Sequence, residues 1–166
     1  MADTAGNNDN IKKLGELIKD VRIAMMTTQE SDGTLRSRPM ATQQVEFDGN
    51  LWFFTSADAA KVEEVQQDQH VNLSYAKPND DTYVSISGNA KFVRDITKQK
   101  ELWNPFVKAW FPNGPEDPQV ALLKVEVGQA EYWDAPSNKV VKLAGIAKAL
   151  VTGQPPKLGE NKKLDL

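Results

Sequence analysis

The sequence predicts a mainly β, α+β domain, an antiparallel β-barrel with helices set between its strands. Three observations carry that expectation. Runs of β-branched and aromatic residues recur at short spacing, and Asp32-Gly33 and Asp48-Gly49 supply tight turns between them. The helical stretches interrupt the strands without the strict alternation of a doubly wound parallel sheet. No glycine-rich phosphate loop of the Walker or Rossmann kind occurs, and no internal repeat is visible.

Composition narrows the function classes. A chain of 166 residues with 40% apolar and 26% charged residues is expected to form one globular domain with a real core. A net charge of −3 argues against an electrostatic nucleic-acid binder, which needs a basic face. With no cysteine there is no disulfide, thiolate nucleophile or zinc–thiolate site, and no metal is expected. Met1–Asn10 is polar without an apolar signal core, and no run is long enough to span a bilayer. The expectation is a cytoplasmic protein with no membrane partner: a flexible N-terminus over 1–10, one domain over 11–153 and a mobile tail over 154–166.

Taken in order, Asn8, Asp9 or Asn10 is expected to cap a helix whose apolar positions Ile11, Leu14, Leu17, Ile18 and Val21 follow helical spacing. Val21–Thr28 is a first strand, and the turn at Asp32-Gly33 returns the chain through Arg36–Met40 and on to Val45. Pro39 cannot donate to a ladder, so this second strand belongs at an edge or a bulge. Leu51–Thr55 is a third strand. Asp58 or Ser56 is expected to cap a short helix that ends near Gln67 and turns Val62 and Val65 inward. His70–Ala76 alternates as a half-buried strand. Tyr83–Arg94 is long and interrupted at Gly88, the mark of a bulge or bend. Asp95 is expected to open one helix running through Trp103 to Trp110, followed by a stiff Pro/Gly loop. Val120–Trp133 is a strand with a bulge at Gly128, and Val140–Val151 is a helix stopped by Gly153.

The chemistry concentrates between Thr34 and Lys61. Arg36 and Arg38 lie two apart and share one face of a strand. Alone, such a pair is a solvated surface, and its like charges repel unless an anion lies between them. Lys61 stands in the first turn of the helix after Thr55-Ser56, where the helix dipole favours anions over cations. A phosphate would reconcile these charges, with the Thr55 and Ser56 hydroxyls as further donors. Otherwise Lys61 is a surface lysine, and Thr55 and Ser56 end a strand. Trp52, Phe53 and Phe54 cannot all face one core, and Trp110 stands beside a loop where a partner subunit could approach. The lone His70 has no nucleophile beside it, and no Gly-x-Ser-x-Gly elbow exists, so a hydrolase is disfavoured.

In their order and spacing, five stretches together resemble the pyridoxamine 5′-phosphate oxidase-like, FMN-binding split-barrel superfamily, and within it the general stress protein branch. They are Arg36-Ser37-Arg38-Pro39-Met40, then Leu51–Ser56 with Lys61, Val71–Tyr75, Tyr83–Ala90 and Glu131-Tyr132-Trp133-Asp134. The resemblance runs from Ile11 to Asp134. It implies an antiparallel split barrel with flanking helices and a homodimer holding two FMN molecules at the subunit interface. The implied cofactor-binding set is Arg36, Ser37, Arg38, Pro39, Met40, Phe54, Thr55, Ser56, Lys61, Tyr83 and Trp110. Within it, Arg36, Ser37 and Arg38 would follow the ring and ribityl chain or reach the phosphate. Thr55, Ser56 and Lys61 would hold the phosphate, while Tyr83 and Trp110 would come from across the dimer. Deazaflavin, FAD and haem are the alternative cofactors.

The implied function is a stress-related FMN-dependent oxidoreductase acting on an unidentified small molecule. No catalytic residue is assigned, because a flavin carries the redox chemistry itself. Pyridoxamine phosphate oxidases proper have an arginine-rich C-terminal clamp, whereas here no arginine follows Arg94, so vitamin B6 oxidation is not implied. The alternatives are a non-catalytic flavin store, carrier or sensor, and a ligand-free interaction barrel.

Overall fold

Inside–outside alternation organises the strands, and the side chains that point inward meet in one core. The computed structural model describes residues 4–135, 139–156 and 159–166. In chain order the elements are α1 (Thr4–Ile18), β1 (Ile23–Gln29), β2 (Leu35–Ala41), β3 (Asn50–Ser56), α2 (Ala60–Gln67), β4 (His70–Lys77) and β5 (Thr82–Val93). They are followed by α3 (Ile96–Leu102), α4 (Pro105–Trp110), β6 (Val120–Asp134), α5 (Lys139–Thr152) and β7 (Glu160–Asp165). All ladders are antiparallel, and seven strands form one curled sheet in the order β2-β1-β4-β5-β6-β3. β3 and β7 share one side of β6, β3 along its first half and β7 along its second.

The sheet is a split barrel because its two terminal strands, β2 and β3, do not pair among the described residues. Pro39 on β2 removes one donor from that edge, as its position predicts. A single backbone bond from Gln43 N–H to the Trp52 carbonyl spans the gap where the chain crosses from one edge to the other. Ala24, Met26, Phe53, Leu73, Tyr75, Val84, Ile86, Leu123, Val125 and Tyr132 fill the interior, and Leu14, Leu17 and Ile18 of α1 cap it. Of the aromatic triplet only Phe53 enters the core. Trp52 lies under Lys98 and Lys124, and Phe54 meets the edge of Trp103 at 5.5 Å.

Several expectations need correction. α1 begins at Thr4, more than a turn before the expected cap. β2 stops at Ala41 rather than Val45: Thr42 N–H still reaches the Arg22 carbonyl in register, but Gln43 N–H leaves the ladder for the Trp52 carbonyl. α2 has no side-chain cap: its N-cap is Ala59, and the Ser56 hydroxyl donates instead to Asp58. The single helix expected from Asp95 to Trp110 is two. Asp95 does cap α3, accepting from Lys98 N–H, but Pro105 restarts the chain as α4 with Asn104 as its cap. The polar tail conceals β7, whose Leu164 is buried against the barrel and whose Asp165 carbonyl accepts from Asn10 of α1. Lys157 and Leu158 of that tail lie outside the described residues, as do Met1–Asp3 of the expected flexible start.

Both expected glycine irregularities form one bulge. Ser87 pairs with Gln129 and Gly88 with Val127, so Gly128 is the extra residue on β6. A Cβ on Gly88 would collide with the Glu126 carbonyl. Gly88→Ala therefore overpacks the centre of the sheet and is expected to lower stability by about 1–3 kcal/mol, read as a fall in the urea midpoint with unchanged slope. Gly128, whose Cβ would meet nothing nearer than 3.8 Å, is the control, and its alanine variant should cost less.

Candidate functional site

The unpaired edges of β2 and β3 leave a cavity of about 380 Å³ in the seam of the barrel. Pro39, Met40 and Ala41 of β2 form one wall and Phe54, Thr55 and Ser56 of β3 the other. Phe106, Val107 and Trp110 of α4, with Phe111, roof it, Ile23 lies at its β1 side, and Lys61 of α2 enters it as the lone charged lining residue. The walls are thus aromatic and aliphatic, with two hydroxyls and one ammonium gathered towards α2. The cleft of about 400 Å³ under α1 differs, because its lining carries charges of both signs, Lys12 and Lys19 with Glu16 and Glu46, and Lys19 is paired with Glu16.

Strand geometry explains how these residues meet. β3 turns Thr55 inward, where it is buried, and Phe54 and Ser56 to the other face. The Ser56 carbonyl accepts from Ala59 N–H, which bends the chain into α2 and sets Lys61 beside the strand end. On the opposite wall Gln43 fixes α4: its Oε1 accepts from Asn104 Nδ2 at 3.0 Å while its own Nε2 donates to the Ala41 carbonyl at 3.2 Å.

The two arginines are not in the cavity lining, and neither is Ser37. Arg36 and Arg38 do share the strand face the spacing predicts, but the anion between them belongs to the chain. Arg38 donates to Glu64 of α2 at 2.7 Å and to the Thr28 hydroxyl at 2.9 Å, and Thr28 donates to the same carboxylate oxygen. Both members of this ion pair are largely buried, at 17% and 11% side-chain exposure. Arg36 is ion-paired with Glu30 at the surface, and the Ser37 and Thr27 hydroxyls bond each other. Tyr83 lies far along the sheet, exposed on β5 opposite Ala76 and Trp133.

The charges are coupled. Burial depresses the Lys61 pKa, the neighbouring Arg38 guanidinium depresses it further, and Glu64 opposes them. Burial works to raise the Glu64 pKa, but the bonds from Arg38 and Thr28 and the charge of Arg38 prevail and hold it below the ordinary carboxylate value. One carboxylate thus stands against two buried or half-buried cations, and among the described residues Lys61 makes no ion pair. The surplus positive charge at the cavity end is what an anionic group would meet.

Sequence reading found Pro39, Met40, Phe54, Thr55, Ser56, Lys61 and Trp110, all of which line the cavity. It missed Ile23, Ala41, Gln43, Phe106, Val107 and Phe111. Asn104-Pro105, a capping residue followed by proline, was the signal available for α4. Nothing local marks Glu64 as the partner of Arg38, since its neighbour Glu63 has the same chemistry and the difference is only one of helical phase.

Replacing Glu64 by glutamine leaves Arg38 buried without a counter-charge. The Glu64 pKa is lowered on folding, so its contribution is complete well above its ordinary value of 4.5 and fades as pH falls through the native value. Glu64→Gln is expected to cost about 2 kcal/mol at neutral pH, and the gap from wild type should close in acid. Denaturant titrations at several pH values check it, and a gap independent of pH would contradict the ion pair.

The comparisons with known proteins agree with this architecture. Residues 9–157 match the family described as Pyridoxamine 5′-phosphate oxidase like. Protein bli-3 of Neurospora crassa is 33% identical over 158 residues, spanning 89% of this chain and 76% of that protein. The crystal structure of a candidate general stress protein 26 from Jannaschia sp. CCS1 superposes with a TM-score of 0.77 at 26% identity, covering 96% of this chain and 99% of that one. The general stress FMN/FAD binding protein of Xanthomonas citri gives a TM-score of 0.67 at 32% identity over 76% of this chain and 89% of that one. With its split barrel and its match over most of the sequence, the chain belongs to the pyridoxamine 5′-phosphate oxidase-like family.

Proposed function

We propose that the seam cavity binds FMN and that the protein is a homodimeric, FMN-dependent oxidoreductase acting on a small molecule. The observation that carries this reading is Lys61, a cation without an ion-pair partner among the described residues, at one end of a cavity otherwise walled by aromatic and aliphatic side chains. A phosphorylated, planar, heteroaromatic ligand has the complementary form: an anion for one end and a flat apolar body for the other. The relative from Xanthomonas citri, described as FMN/FAD binding and 32% identical, supports the same choice.

The residues divide the work. Lys61 neutralises the phosphate, and the Thr55 and Ser56 hydroxyls donate to it once Thr55 turns from the Ser56 carbonyl and Ser56 from Asp58. An anion there also relieves the repulsion between Lys61 and Arg38, so binding returns the Lys61 pKa towards its ordinary range. Arg38 acts from behind: tied to Glu64 and Thr28, it holds α2 against β1 and β2 and adds long-range positive potential. Phe54, Phe106, Trp110 and Phe111 exclude water from the ring, and the bound flavin supplies two-electron chemistry that the lining residues do not. Phosphate capture by Arg36 and Ser37 is not part of this reading, because both are engaged elsewhere.

Titration with FMN, followed by quenching of flavin or tryptophan fluorescence, tests it. Wild type should bind, and Lys61→Ala should weaken binding roughly 10- to 100-fold, about 1–3 kcal/mol. Absence of binding by wild type, or equal affinity in the variant, would sink the assignment. Turnover of reduced nicotinamide by the loaded protein separates an oxidoreductase from a flavin carrier or sensor, which would bind without turnover.

A further inference from the structure

The Ser56 hydroxyl lines the seam cavity with its proton already committed. It donates to Asp58 Oδ1 at 2.6 Å. A serine hydroxyl has a single proton, and an ionised carboxylate only accepts. While this contact lasts, lone pairs are all that Ser56 can turn towards an incoming phosphate. Thr55 is engaged as well, more weakly, with its hydroxyl 3.4 Å from the Ser56 carbonyl. Of the two lining hydroxyls, the one bound to a charged partner is the harder to free.

No structural duty explains why Asp58 holds Ser56. The N-cap of α2 is Ala59 and makes no side-chain bond, so Asp58 does not cap the first turn. Among the described residues Asp58 joins no ion pair. Glu64, the other carboxylate at this end, is locked by Arg38 and Thr28 and largely buried. Asp58 is exposed. Its turn is pinned on both sides, because Ala57 N–H donates to the Gln119 carbonyl at 2.8 Å and Ala59 N–H to the Ser56 carbonyl at 3.1 Å. The carboxylate can therefore swing into water without any movement of the backbone.

The charges turn this contact into a competition. Lys61 and Arg38 are cations, Glu64 offsets one of them, and Asp58 adds a second negative charge 2.6 Å from a lining hydroxyl. An anion arriving beside Lys61 is repelled by Asp58 and gains the Ser56 proton only when that bond breaks. Because Asp58 is exposed, water and salt screen it. It trims the positive surplus of the site without cancelling it.

We propose that Asp58 is an internal competitor of the anionic ligand of the seam cavity: it holds the Ser56 proton while the cavity is empty and yields it to a phosphate monoester, which keeps that ligand exchangeable. This rests on the cavity receiving a phosphate-bearing ligand, but not on that ligand being a flavin. Its signature is a gain of affinity. Asp58→Ala should bind FMN about 10-fold more tightly than wild type, chiefly through slower release. Asp58→Asn keeps the shape, loses the charge and should move the same way, which covers the case of an alanine variant that unsettles α2. Riboflavin, which lacks the phosphate, should bind all three forms equally. Ser56→Ala should cost little in wild type, where the hydroxyl is committed, and about 10-fold in the Asp58→Ala background. Additive effects of the two substitutions, or a riboflavin gain equal to that for FMN, would overturn the proposal. Inorganic phosphate, followed by calorimetry, supplies an arm without flavin. Tighter phosphate binding by the Asp58 variants with no FMN uptake by any form would sink the flavin reading and leave the competitor standing. FMN uptake with equal affinity in wild type and both Asp58 variants would do the reverse. Binding of neither probe by any form would sink both.

Discussion

A sheet that curls without closing leaves two unsatisfied edges, and this constraint organises the molecule. β2 and β3 stand at the ends of the strand path and do not ladder to each other. Pro39 keeps β2 from offering a full row of donors, and the chain crosses the gap once, through Gln43 and Trp52. Edges of this kind are usually protected from pairing with other chains. Here the protection comes from α4, pinned over the seam by Asn104 and Gln43, and from α2 at its end. Covering an edge without filling it yields a cavity, and its lining follows from which strand faces the two edges present.

The ion pair behind that cavity has a structural part and a polar part. Arg38, Glu64 and Thr28 join β2, α2 and β1, three elements that meet nowhere else through charged groups among the described residues. Removing a buried carboxylate and guanidinium from water is unfavourable, and bonds from two elements to one carboxylate are what offset it. The same arrangement leaves Lys61 next to a guanidinium with no carboxylate of its own. A lysine placed so is poorly solvated and repelled, and an incoming anion improves both conditions at once.

Much of this was legible in the sequence. Period-two alternation located the strands, and Gly88 and Gly128 announced a bulge before their register was known. Seven of the expected site residues line the cavity because they sit on two short strands whose ends the turns fix. The failures have a common cause in long-range contacts. Arg36 and Arg38 were sound as a shared face, but whether the anion beside Arg38 is a ligand or Glu64 depends on the phase of a helix whose Glu64 lies 26 residues downstream. The C-terminal residues look polar and mobile because β7 buries Leu164 while its neighbours face water, and one inward leucine in six is too weak a signal to predict a strand. α4 was merged with α3 because apolar spacing continues across Pro105 although the backbone does not.

The helix α5 shows the same limit from the other side. Its apolar period was plain in the sequence, and a period says that a helix has a dry face without saying which body it faces. Here the core is already closed by α1, whose Leu14, Leu17 and Ile18 occupy the end of the barrel, and by β7 with Leu164. The barrel therefore has no interior left to receive Leu143 or Leu150, and both stay exposed.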